Sequence, residues 1–103
     1  MKLYLSGPMT GFVDHNFPAF MEEARRLRSL GYEVVNPAEI NAPGTRREDC
    51  LRNDIRHLID CDGIALMRGW PYSKGAQLEQ HVASHLGMEF FYCEDITTPL
   101  EQA

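Results

Sequence analysis

The chain has 103 residues, of which 44% are apolar, 10% aromatic and 24% charged. This apolar share excludes a disordered chain, and a domain of this size folds without a metal or disulfide staple. Ten Lys and Arg against fifteen Asp and Glu leave a net charge of −5, which argues against a duplex-binding footprint but leaves room for a small anionic ligand.

Cys50, Cys61 and Cys93 are odd in number and show neither C-x-x-C nor metal-ligand spacing. That usage fits a reducing, cytoplasmic setting without a disulfide framework. The opening residues pass into Gly7-Pro8 after one short apolar stretch, unlike a signal peptide. No run approaches the roughly 18 apolar residues of a membrane span. Repeats, linkers and low-complexity tracts are absent, so residues 1–103 read as a single domain.

In chain order, Leu3, Tyr4 and Leu5 read as a short buried strand stopped by Gly7-Pro8. A first helix is expected to start at Asn16 as its cap, with Pro18 in the first turn and Gly31 as its stop. Phe17, Phe20, Met21, Ala24 and Leu27 recur along it at helical spacing. Glu33-Val34-Val35 suggests a second strand, closed by Asn36-Pro37, and residues 38–46 are turn-rich without an assignment. A second helix begins around Arg47 and places Leu51, Ile55, Leu58 and Ile59 on one stripe. Gly63 to Met67 is an unbroken apolar run, the pattern of a central parallel strand covered on both faces. A third helix follows Ser73-Lys74-Gly75 and ends at Gly87, and Met88 to Tyr92 forms a further strand. Residues 94–103 are polar, suiting a short last strand or an arm on a partner. The order βαβαβαβ predicts an α/β fold, an open parallel sheet of four or five strands flanked by helices in a flavodoxin/Rossmann-like three-layer sandwich. Ligands of such sheets sit beyond the carboxyl ends of the strands, here at segments 7–16, 36–47 and 68–75.

Glu79 is the most informative residue. On a helical wheel Ala76, Ala83 and Leu86 fall at about 0°, 340° and 280°, with Glu79 at about 300°, so a carboxylate lies in the face that meets the sheet. Burying an uncompensated charge is costly, which points to chemistry; the alternative is a first-turn Glu that supports its own helix end. Asp54 flanks the stripe of the second helix and is either a second functional carboxylate or a solvated residue. Asp62, just before the third strand, suits a turn or cap.

Ser73 stands either as a plain N-cap or as part of an anion site at the helix start. Ser6 to Gly11 follows the first strand as a phosphate loop would, yet matches neither G-x-G-x-x-G nor the Walker pattern. Trp70, with Arg68 and Tyr72, stacks on a base or lines an oligomer interface. His81 and His85 point away from Glu79 without an H-E-x-x-H frame, and a surface role suits them and His57 better than a metal site.

Leu3-Tyr4-Leu5-Ser6-Gly7-Pro8, then Arg52-Asn53-Asp54-Ile55 with Cys61-Asp62, then Ser73-Lys74-Gly75-Ala76-Gln77-Leu78-Glu79 follow one another in order. Over residues 2–92 these segments resemble a compact nucleoside 2-deoxyribosyltransferase-like domain, a superfamily that includes the deoxynucleoside 5′-monophosphate N-glycosidases. The likeness extends to a group of short phage and bacterial domains of unknown function. The last segment is similar to the S-x-G-x-x-x-E stretch of the N-glycosidases.

The resemblance implies that Glu79 is the nucleophile, Asp54 a second catalytic carboxylate and Tyr4 an aromatic hydroxyl beside the sugar. It places Ser73 and Gly75 at a 5′-phosphate, with the loop through Gly7, Met9 and Gly11 closing over that end. The implied reaction is hydrolysis of the base–sugar bond of a (deoxy)nucleoside 5′-monophosphate, without metal or other cofactor. The alternatives are base exchange by a nucleoside 2-deoxyribosyltransferase and non-catalytic nucleotide binding. The expected partners are a small nucleoside or nucleotide and a second copy of the chain, in at least a homodimer, with no nucleic acid and no membrane. Two departures stand out. The transferases carry an acidic residue near Ser73 and a terminal Asn that Thr97 to Ala103 lacks, and both differences favour hydrolysis over transfer. The glycosidases carry a Gly- and Arg-rich first loop where this chain has Pro8-Met9-Thr10-Gly11-Phe12, so Arg46, Arg47 or Arg68 would supply any phosphate charge.

Overall fold

The computed structural model describes residues 1–100. Strands β1 (Lys2–Ser6), β2 (Glu33–Val35), β3 (Gly63–Leu66) and β4 (Glu89–Tyr92) form one parallel sheet in the order β2-β1-β3-β4. Four helices accompany it: α1 (Phe17–Ser29), the single turn α2 (Pro37–Ile40), α3 (Arg47–Leu58) and α4 (Lys74–His85). The result is an open Rossmann-like α/β sandwich, as the order of elements predicts.

Strand periodicity divides the core into two layers. Successive side chains point to opposite faces, so Leu3, Leu5 and Ala65 meet Phe20, Ala24 and Leu27 of α1 on one side. Tyr4, Ile64 and Leu66 meet Leu58 of α3 and Ala83 of α4 on the other. The chain runs outward from β1 to β2, then crosses back to β3 on the far side of β1. The carboxyl ends of β1 and β3 are therefore the topological switch point, where such sheets open a crevice. Asp62, as expected of a turn residue, accepts the Lys2 backbone N–H at 2.8 Å and ties the start of β1 to the start of β3.

Several local expectations change. Asn16 does precede α1, but its side chain does not cap the helix; its Nδ2 donates to the Pro8 carbonyl at 2.9 Å. Asp14, His15 and Asn16 have φ of 51°, 53° and 62°, a left-handed turn that L-residues adopt at a cost. Phe17 and Met21 are 37% and 46% exposed because only Phe20, Ala24 and Leu27 of α1 face the sheet. Segment 38–46 begins inside the turn α2, capped by Asn36 Oδ1 accepting from Ala38 N–H at 3.0 Å.

On α3 the buried residues are Asp54 and Leu58, whereas Ile59 is 52% exposed and Leu51 and Ile55 are half-buried. The helix is rotated so that its Leu51–Ile55 side leans toward α4, where Leu51 lies against Gly75. Leu86 is 55% exposed, because α4 ends at His85 before it. Residues 94–100 form no strand; Cys93–Asp95 is a 3-10 turn, and Leu100 N–H donates to the Leu30 carbonyl at 2.6 Å. The rest of the expected last strand or arm, 101–103, lies outside the described residues. Among the described residues no helix is long and apolar enough to cross a membrane.

Candidate active site

The site begins with the alternation of β1. Tyr4 and Ser6 share the strand face that α4 covers, and both are fully buried. From α4, the inward residues are Ala76, Glu79 and Ala83. Two alanines let the helix approach the sheet closely, and the carboxylate between them reaches β1. Tyr4 Oη donates to Glu79 Oε2 at 2.6 Å, and Ser6 Oγ donates to Oε1 at 2.7 Å. Glu79 is 5% exposed. Ser73 caps α4 by accepting the Ala76 N–H at 3.2 Å, and no acidic residue occupies the first turn. Glu79 thus lies in the second turn of a helix that is already capped, which removes the helix-end reading of this carboxylate.

Burial pushes the Glu79 carboxyl up from its ordinary 4.5 to about 7, against the pull of the Tyr4 and Ser6 hydrogen bonds, and the nearby Asp54 charge adds to the rise. Near neutrality it is divided between acid and carboxylate. Burial, with the Glu79 and Asp54 charges beside it, holds the Tyr4 hydroxyl well above its ordinary value, so it remains a neutral donor.

Asp54 faces inward from α3 and is 8% exposed. Asn41 Nδ2 donates to its Oδ1 at 2.8 Å. Burial raises the Asp54 carboxyl, while the Asn41 hydrogen bond and the His57 charge oppose the rise. His57 is half-buried, and its Nδ1 donates to the Asn53 carbonyl at 2.9 Å. Tyr4, Ser6 and Glu79 therefore form one hydrogen-bonded cluster at the switch point, and the charge of Asp54, itself held by Asn41, bears on Glu79 and Tyr4. Asn41 and the Glu79-binding role of Ser6 have no signal in the sequence pattern. Ser6 stands at the end of a strand read for its apolar residues, and Asn41 lies in a segment without periodicity.

The other candidate residues make no hydrogen bond to Glu79. A Cβ on Gly7 would lie 2.8 Å from Met67 Cβ, so glycine lets the chain leave β1 close to β3. Met9 packs on the α1 side of the sheet, and Gly11, at φ 85°, is in an exposed turn. Trp70 is half-buried and lines a depression of about 260 Å³ with Arg68, Tyr72 and Tyr92. A second depression, about 360 Å³, lies between α3 and α4 and is lined by Leu51, Arg52, Ile55, Arg56 and Leu78. Neither is lined by Glu79 or Asp54. Arg68 pairs with Glu94 at 2.7 Å and Arg46 with Asp49 at 3.3 Å, all exposed. His81 and His85 are exposed and stack edge to face, with centroids 4.4 Å apart. Among the described residues, no group of three or more His, Cys, Asp or Glu is arranged to hold a metal ion.

Two solved structures share this architecture. A 2-deoxyribosyltransferase from the psychrotolerant bacterium Bacillus psychrosaccharolyticus is 25% identical, with a TM-score of 0.70 over 87% of this chain and 69% of that one. The CMP N-glycosidase BcmB of Clostridium botulinum is 20% identical, with a TM-score of 0.59 over 87% of this chain and 66% of that one, a likeness of fold alone. No curated protein sequence matches the chain. The chain thus resembles the deoxyribosyltransferase/CMP N-glycosidase superfamily in structure, and by a match over residues 1–92 it belongs to the family described as Domain of unknown function (DUF4406).

Proposed function

We propose that this domain breaks the N-glycosidic bond of a nucleoside and passes the sugar to a second base, as in 2-deoxyribosyl transfer, with Glu79 as the nucleophile. The observation that carries this reading is a carboxylate buried at the switch point with both oxygens held by β1 hydroxyls. Each oxygen accepts one hydrogen bond and keeps a lone pair, so the group is oriented without being spent. Attack of one Glu79 oxygen on C1′ breaks the C1′–N bond, and the base leaves with the electron pair and takes up a proton. A ring nitrogen of the incoming base then attacks C1′ and releases Glu79, giving net retention. Asp54, whose carboxyl burial raises, is suited to exchange that proton.

Hydrolysis of a 5′-monophosphate, the reaction the sequence resemblance implies first, has less support. Loop 7–16 carries Asp14 but neither Lys nor Arg to meet a phosphate. The structural likeness is also stronger to the transferase than to the N-glycosidase. A domain this small encloses little of a nucleoside, so a homodimer in which a second copy completes the surroundings of each Glu79 is part of the same proposal.

The test is chromatographic. Purified protein is incubated with each common deoxynucleoside and a different free base, and with the 5′-monophosphates alone. The expected result is a new nucleoside from the first set, lost in Glu79→Ala while the far-UV spectrum and thermal transition persist. Release of base only from monophosphates would move the assignment to hydrolysis, and full exchange by Glu79→Ala would overturn the nucleophile.

A further inference from the structure

Asp54 is held by a one-way chain of amides. Asn53 Nδ2 donates to the Ile40 carbonyl at 2.7 Å and to Asn41 Oδ1 at 3.1 Å. Asn41 Nδ2 in turn donates to the Pro37 carbonyl at 3.2 Å and to Asp54 Oδ1 at 2.8 Å. The polarity of this chain is dictated by its ends. Backbone carbonyls only accept, so both amide nitrogens are fixed, and the Asn41 nitrogen is the one that faces Asp54.

No described residue donates to Asp54 Oδ2, and no buried side-chain oxygen or nitrogen of the described residues lacks a partner. With Asp54 at 8% exposure, Oδ2 therefore keeps some contact with the surface.

We propose that Asn41 is a positioning residue: relayed from Asn53, it locks Asp54 Oδ1 and turns Oδ2, the oxygen that accepts no hydrogen bond from the described residues, outward toward a base bearing an N–H or a protonated ring nitrogen. The proposal rests on the reading of Asp54 as a group that meets the substrate. Tethering the loop alone does not require the Asn41–Asp54 bond, because Asn53 already holds the Ile40 carbonyl. The chain also joins consecutive residues of α3 to opposite ends of one amide, that of Asn41 just past α2, a clamp that fixes orientation as well as position. The titratable groups that interact with Asp54 through their charge are Cys50 and His57 on its own helix, Glu79 on α4 and Tyr4 on β1. Just past the end of α2 it meets the uncharged Asn41.

The experiment compares wild type with Asn41→Ala and Asn41→Asp. The Asp54 carboxyl is followed by carbon-13 NMR titration, and base exchange is measured across pH. Losing a donor to a charged oxygen should move the Asp54 titration up by about one pH unit in Asn41→Ala, and further in Asn41→Asp, where carboxylate meets carboxylate. Exchange should lose about tenfold in kcat/KM, with its pH profile displaced in the same direction as the titration. An Asp54 titration unchanged in a folded variant would overturn the relay, as would a kcat/KM loss without displacement of the profile. If Asn41→Ala does not fold, Asn41→Asp retains the volume and the Asn53 hydrogen bond and carries the titration. Absence of exchange in wild type would defeat the proposed function, while the titration would still decide the relay.

Discussion

Glu79→Gln probes the buried carboxyl without any substrate. In the folded chain this group titrates at about 7 instead of its ordinary 4.5. Between those values the folded state keeps a proton that the unfolded state has released. Folding stability from this group is therefore full below about pH 4.5, falls as pH rises and levels off once pH exceeds about 7. The gap corresponds to about 3 kcal/mol. Gln keeps the shape, accepts from one hydroxyl, donates to the other and carries no titrating proton. Groups remote from Glu79 titrate alike in both proteins and cancel in the difference. Urea unfolding of both, from about pH 4 to about pH 8, should show wild type losing about 3 kcal/mol relative to Glu79→Gln across that interval. A difference that does not vary with pH would refute the reasoning. A difference of opposite sign would mean that the two hydroxyls outweigh burial and hold Glu79 ionised in the fold.

Two further perturbations follow from the same geometry. Tyr4→Phe removes the donor to Oε2; Glu79 should then titrate higher, and the rise of exchange rate with pH should move up by about one pH unit, an unmoved limb in kcat/KM counting against Glu79 as the ionising group. Gly7→Ala sets a Cβ 2.8 Å from Met67 Cβ; the backbone must shift at the mouth of the site, and urea unfolding should register a loss of about 1–3 kcal/mol, whereas wild-type stability would show that β1 and Met67 separate freely.

Legibility in the sequence follows how local the determining interactions are. β1, β2 and the start of α4 can be read because short apolar runs end at Gly7-Pro8 and Asn36-Pro37 and because Ser73 caps the helix it precedes. Glu79 is legible for the same reason. Ala76 and Ala83 mark the close-packed face of α4, and the carboxylate lies between them on any regular helix. The rotation of α3 is not local. Its periodicity favours Leu51, Ile55, Leu58 and Ile59, yet packing against α2 and α4 buries Asp54 and Leu58 and leaves Ile59 outside.

The partners of the two carboxyls are less local still. Ser6 reaches Glu79 across 73 positions and Asn41 reaches Asp54 across 13, and no periodicity encodes a contact between separate elements. Sequence alone determined the sheet-and-helix order and the inward carboxylate of α4, because these depend on neighbours within a turn or a strand. Tertiary structure decided which hydroxyls and amides hold that carboxylate and its companion, because only α4 laid against β1, and α3 packed against the segment that follows α2, bring distant donors within hydrogen-bond reach.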